Sequence, residues 1–150
     1  MPRDRGSADL EIDLPLHDVF EPWLRCETYP LFIAAAVEVV QLSSTVFRWN
    51  VAFEGRELEF DAMILERLTQ RRLAWRSLGP RVHAGSVSFE ALGERRTRVA
   101  LLMEWDHRLL TGTVPRQALT CDARVRADLD AFARMLHAGS LGQVPPRVIG

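Results

Sequence analysis

Four histidines, two cysteines and a scatter of arginines are among the side chains here that could move a proton, attack a carbon or hold an anion. His83 stands out by its phase. It precedes Gly85, Val87 and Phe89 by two, four and six residues, so a strand that turns Val87 and Phe89 inward also turns His83 inward. An imidazole in an apolar interior can take and return a proton at neutral pH, which enolisation, aldol closure and dehydration all require. The alternative is a histidine at a strand entrance, half exposed and hydrogen-bonded to backbone, and a one-residue slip in register would turn it outward. Ser77 shares the phase of Trp75 and could donate one hydrogen bond to a ligand. Arg76 and Arg81 flank the Leu78-Gly79-Pro80 turn, where a guanidinium could grip a carboxylate or enolate through two parallel bonds. Arg76 is out of phase with Trp75 and is assigned to the surface. The catalytic candidates are therefore His83 as proton carrier, with Ser77 or Arg81 steadying an oxyanion.

Other chemistries find no support. His17, His83, His107 and His137 are isolated, with no HxH or HExxH spacing, so neither a metal site nor a cofactor is expected. GxGxxG, GxxxxGK[ST] and GxSxG are all missing. Cys26 has no evident activating base and reads as a packed thiol, and Cys26 and Cys121 lie far apart, as reduced thiols of a cytoplasmic protein would. Asp106-His107 would point to opposite faces of a strand and reads as a turn. Arg71-Arg72 and Arg95-Arg96-Arg98 sit beside turns with acidic neighbours, as solvated groups.

The elements that position these residues follow from periodicity. Leu10 to Leu14 reads as a short strand after a polar, flexible stretch over residues 1–8. Pro15 suits a first helical turn, and Leu16, Val19, Phe20, Trp23 and Leu24 make one apolar helical stripe. Tyr29-Pro30 breaks the chain, and Leu31 to Ala36 could form a second short helix. From Val37 the period becomes 2: Val37–Leu42, a run centred on Phe47, Trp49, Val51 and Phe53, then Leu58, Phe60, Ala62 and Ile64 after the Glu54-Gly55 turn. Arg72–Ser77, Val82–Glu90 and Thr97–Asp106 complete an antiparallel meander. A helix from about Pro115 to His137 carries Leu119, Val125, Leu129, Phe132 and Leu136 on one face, and residues 139–150 read as a loose tail.

One sheet with an apolar face and one long helix predict an α+β domain over residues 9–138, the curved sheet of about seven strands wrapped around the helix. A strongly twisted sheet cannot contact one helix everywhere. The gap is expected to be an internal apolar pocket lined by Phe47, Trp49, Phe60, Trp75, Phe89, Met103 and Trp105. The competing reading is that these side chains simply fill the core. The net charge of −1 supplies no positive field for nucleic acid or an anionic membrane. Leu31 to Val37, the longest apolar run, is too short to span a bilayer, and the polar Met1–Asp9 stretch predicts no signal peptide. All 19 basic residues are arginine, as in a GC-rich bacterial codon pool.

Ile12-Asp13-Leu14-Pro15, Val19-Phe20 and Tyr29-Pro30-Leu31-Phe32 resemble the opening of the SRPBCC (START-like, helix-grip) superfamily, in its polyketide cyclase/dehydrase and coenzyme Q-binding group. The similarity continues through Phe47-Arg48-Trp49, Phe53-Glu54-Gly55-Arg56-Glu57, Leu73 to Gly79, Gly85 to Phe89, Thr97-Arg98-Val99 and Arg126-Ala127-Asp128-Leu129, over about residues 9–138. The resemblance implies a helix-grip fold with a deep pocket, and either cofactor-independent polyketide cyclisation or carriage of a lipid, quinone or isoprenoid. It also implies an acyl carrier protein as a candidate partner of a monomer or homodimer. Close relatives often carry asparagine where His83 stands. Tetracenomycin-type aromatase/cyclases place an arginine on the long strand after the glycine turn, where this chain has Ala62 and Ile64, and a tyrosine where it has Ala36. That constellation is missing at the matched positions, which leaves His83 and its neighbours, or a pocket that mainly binds.

Overall fold

The computed structural model describes residues 3–53, 56–79, 82–106 and 122–142. Its strands are β1 (Arg3–Ile12), β2 (Ala36–Gln41), β3 (Val46–Phe53), β4 (Arg56–Leu68), β5 (Arg72–Ser77), β6 (His83–Gly93) and β7 (Arg96–Asp106). They form one antiparallel sheet in the order β1-β7-β6-β5-β4-β3-β2, a meander from β2 to β7 with β1 added beyond β7. The sheet curls around the C-terminal helix, here α2 (Asp122–Gly142). Register irregularities at Ala36/Glu38, Ile64/Glu66 and Ala91/Gly93 add the local twist that lets a sheet bend.

The alternating segments of the sequence become strands because each has one face to bury. Phe47, Trp49 and Val51 are buried on β3, Leu73, Trp75 and Ser77 on β5, and Thr97, Val99, Leu101, Met103 and Trp105 on β7. Their out-of-phase neighbours carry the solvent chemistry. Arg48 holds Asp61 at 2.8 Å, Arg72 holds Glu66 at 2.7 Å, and Arg96 and Arg98 both pair with Glu11. Of the arginine groups beside turns, Arg72, Arg96 and Arg98 form ion pairs at the surface, and Arg71 and Arg95 are exposed.

The ends of the chain depart from expectation. Residues 3–8, expected to be flexible, belong to β1, which pairs residue for residue with β7 from Arg3↔Asp106 to Ile12↔Thr97. A backbone ladder accounts for this order, so side-chain alternation is a poor guide to it. The first helix is also shorter than its apolar stripe. Here α1 covers Leu16–Phe20, and Pro22 opens a 3₁₀ turn over Glu21–Leu24. The tighter winding keeps Trp23 buried and leaves Leu24 exposed. The second helical segment is a 3₁₀ helix at Cys26–Leu31, running through the Tyr29-Pro30 break, while residues 32–35 form the turn leading into β2. The final helix extends to Gly142, past the expected start of a tail at Gly139, and its expected part before Asp122 lies outside the described residues. Val125, Leu129 and Phe132 form its buried face. No helix among the described residues is long and apolar enough to cross a membrane.

Candidate functional site

Five strands deliver aromatic or imidazole rings to one interior cluster. Cross-strand register sets the meeting: Trp49 is opposite Phe60, Trp75 opposite Gly85, and His83 opposite Trp105. His83 points inward, as its phase requires, and is fully buried. Its ring stacks on Trp105 with centroids 3.9 Å apart and lies 5.0 Å from Trp49 and 5.7 Å from Phe60. Trp75 has room to lie flat because its neighbour across the ladder is Gly85. A Cβ there would run into Trp75 Cζ2 and stand 2.7 Å from Cε2.

The imidazole is fully engaged. Trp75 Nε1–H donates to His83 Nε2 at 3.0 Å, and His83 Nδ1 lies 2.9 Å from the Glu104 carbonyl oxygen. An indole can only donate and a carbonyl can only accept, so the two partners impose the neutral Nδ1–H tautomer. Burial pushes the His83 pKa down to about 3, partly offset by the Glu104 carbonyl. In this conformation His83 is a neutral wall of the cluster, and acting as a base requires it to give up Trp75.

Ser77 is buried, and its Oγ accepts from the backbone N–H groups of Val82 at 2.9 Å and His83 at 3.2 Å. It braces the start of β6. Arg81 lies outside the described residues, as does His107. Arg76 is exposed, as its phase predicts. Ala62 is fully buried between Phe47 and Ser77, Ala36 is buried at the start of β2, and Ile64 is half-buried against the core, so all three positions are apolar contacts of the interior.

The expected pocket lining divides. Trp49, Phe60, Trp75 and Trp105 surround His83. Phe89 packs instead edge-to-face on Phe20, with centroids 5.3 Å apart, and Met103 is buried opposite Gly85. The rings pack on one another, and a cavity beside them that Trp23, Cys26, Tyr29 and Phe47 help to line measures only ≈ 20 Å³, about the space of one water. Tyr29, Trp23, Phe32 and Phe132 extend the aromatic cluster toward α2. The sequence signal for Trp23 was its place on the apolar helical stripe from Leu16 to Leu24, whereas nothing local set the direction of Tyr29, whose hydroxyl donates to the Trp23 carbonyl at 2.6 Å. Two indole nitrogens, Trp23 Nε1 and Trp49 Nε1, are buried without a hydrogen-bond partner among the described residues.

Asp128 was not a candidate from sequence. It is buried on α2 and accepts from the Ala34 backbone N–H at 3.1 Å, tying the helix to the turn before β2. Desolvation raises its pKa to about 6, opposed by the Ala34 bond and by Arg124. Cys26 is likewise buried, and its thiol is pushed up to about 11 by burial. Among the described residues no three His, Cys, Asp or Glu side chains form a set that could hold a metal ion.

Comparison with known proteins adds three findings. The sequence matches the family described as polyketide cyclase / dehydrase and lipid transport over residues 12–132. It is 28% identical over 132 residues to a Streptomyces lincolnensis protein, the uncharacterized 17.2 kDa protein of the melC2–rnhH intergenic region, covering 87% of this chain and 88% of that one. The fold is similar to solved structures of a Deinococcus radiodurans protein (TM-score 0.71, 22% identity, 90% of this chain and 98% of that one). It is also similar to a START superfamily protein from Mycobacterium smegmatis (0.68, 13%, 95% and 99%) and to the Zhui aromatase/cyclase from Streptomyces sp. R1128 (0.70, 16%, 93% and 96%).

Proposed function

The chain belongs to the polyketide cyclase/dehydrase and lipid transport family, and we propose that it encloses a hydrophobic polyketide between its curled sheet and α2 and directs cyclisation and dehydration there. The observation that carries this reading is the convergence of Trp49, Phe60, Trp75 and Trp105 on one buried histidine. Such walls exclude water and hold a flexible poly-ketone in few conformations, which is how a site without metal or cofactor would favour one ring closure. In the reaction, substrate displaces the Trp75–His83 bond, and His83 Nε2 takes a proton from a carbon between two carbonyls. The resulting enolate carbon attacks a distant ketone carbon, His83 returns the proton to the new alkoxide, and water leaves in the dehydration. Arg81 steadies the enolate oxygen, and Ser77 holds the backbone at the start of β6. A cytoplasmic place in bacterial specialised metabolism fits the arginine-only composition and the Streptomyces relative, with an acyl carrier protein delivering the substrate.

A second reading, a non-catalytic carrier of a lipid, quinone or isoprenoid, is favoured by one observation: both His83 nitrogens already have partners. The deciding experiment incubates a reactive poly-β-ketone with the protein, with His83→Ala and with Arg81→Ala. Cyclisation predicts a product distribution skewed toward one ring pattern by the wild type and lost in His83→Ala. A distribution identical to buffer alone ends that reading, and native mass spectrometry that finds a co-purified apolar molecule supports the carrier.

A further inference from the structure

We propose that the indole N–H of Trp49 is a specificity-determining donor reserved for a neutral carbonyl oxygen of the ligand, and that the ring of Phe60 is the placeholder the ligand displaces to reach it. The inference rests on the ligand-binding reading above and adds the ligand's chemistry. Trp49 is fully buried and its Nε1 has no partner among the described residues. An indole nitrogen can only donate, and leaving a buried donor unpaired costs the fold what water would have given it. The other unpaired indole, Trp23, borders the ≈ 20 Å³ cavity, which has room for one water to satisfy it. Trp49 is not among the residues lining that cavity, so its donor calls for a different acceptor.

Among the described residues, Phe60 is the one half-buried ring around His83, while Trp49, Trp75 and Trp105 are buried. It lies parallel on Trp49 at 6.0 Å and 12° and reaches His83 and Trp105. A flat ring in that position describes the shape of its replacement, a planar aromatic or enolised ring system. The neighbouring imidazole is neutral, so this part of the cluster offers an acceptor oxygen a donor without a counter-charge. That suits a ketone and rejects a carboxylate, whose charge would be desolvated unpaired.

The test uses 9-fluorenone and fluorene, one skeleton with and without the carbonyl, titrated calorimetrically into wild type, Trp49→Phe and Phe60→Ala. Wild type is expected to bind fluorenone about tenfold tighter than fluorene. Trp49→Phe should bind both at the fluorene level, since it loses the donor and keeps a ring. Phe60→Ala should bind both more tightly and keep the fluorenone preference; if Trp49→Phe does not fold, equal binding of the two compounds by Phe60→Ala overturns the inference. Equal binding of the two compounds by wild type, or a preference that survives Trp49→Phe, overturns this inference alone. Binding of neither by wild type and by Phe60→Ala overturns the ligand-binding reading and this inference with it.

Discussion

At the scale of residues, His83 gathers partners from four strands: Trp75 of β5, Trp105 and the Glu104 carbonyl of β7, Trp49 of β3 and Phe60 of β4. Its folded pKa of about 3 lies below the ordinary 6.5. Between those values the unfolded chain binds a proton that the folded chain does not, so this group's contribution is complete above pH 6.5 and is lost as the pH falls toward 3. We expect nitrogen NMR at pH 5 to find His83 still neutral with its proton on Nδ1, and a protonated ring there would refute the assignment. The phase of His83 was legible because alternation fixes which way a strand residue points. Its availability was not, because both hydrogen-bond partners arrive through cross-strand register that no local pattern encodes. Gly85 is similar: its sequence neighbours gave no sign that an indole lies across it.

At the scale of elements, α2 is tied to the turn before β2 through Asp128, and this tie has the opposite acid response. A folded pKa of about 6 against 3.8 means that the folded state holds the extra proton between those values. Stability from this group is complete below pH 3.8 and falls as the pH rises through 6. Asp128→Asn keeps an oxygen for the Ala34 N–H and removes the charge. It should therefore stabilise the protein by about 1–3 kcal/mol at pH 7.5, with the gain shrinking to nothing near pH 4 in urea titrations. Strands β3 to β7 were readable because each buries one face and solvates the other, and β2 lay within a residue of its expected span. The early helices were not, since Pro22 and Pro30 retain helical turns while changing their winding, which shifts Leu24 outward without altering its hydrophobic spacing.

At the scale of the whole molecule, β1 and α2 close the fold from opposite ends of the sequence. The Ser7 backbone N–H donates to Asp122 at 2.9 Å, and Thr97 Oγ1 donates to the Leu14 carbonyl at 2.9 Å, joining β1 to the helix and β7 to the start of the helical segment. Deleting residues 1–8 strips much of the β7 pairing as well as the Ser7 contact. We expect a lower melting temperature and early amide exchange along β7, and unchanged exchange there would show that the pairing is dispensable. The fold class and the inward aromatic set could be read from sequence, because one sheet and one helix must cover each other. Whether those rings enclose space or fill it could not, since that depends on angles between rings from distant strands. All four tryptophans of the chain share this packed network. Trp23, Trp75 and Trp49 are linked at 6.5 and 6.2 Å, and Trp105 joins through His83. Light absorbed by one indole is therefore shared among its neighbours before emission. The protein should fluoresce as a coupled array, so a guest that quenches any one ring would dim the rest with it.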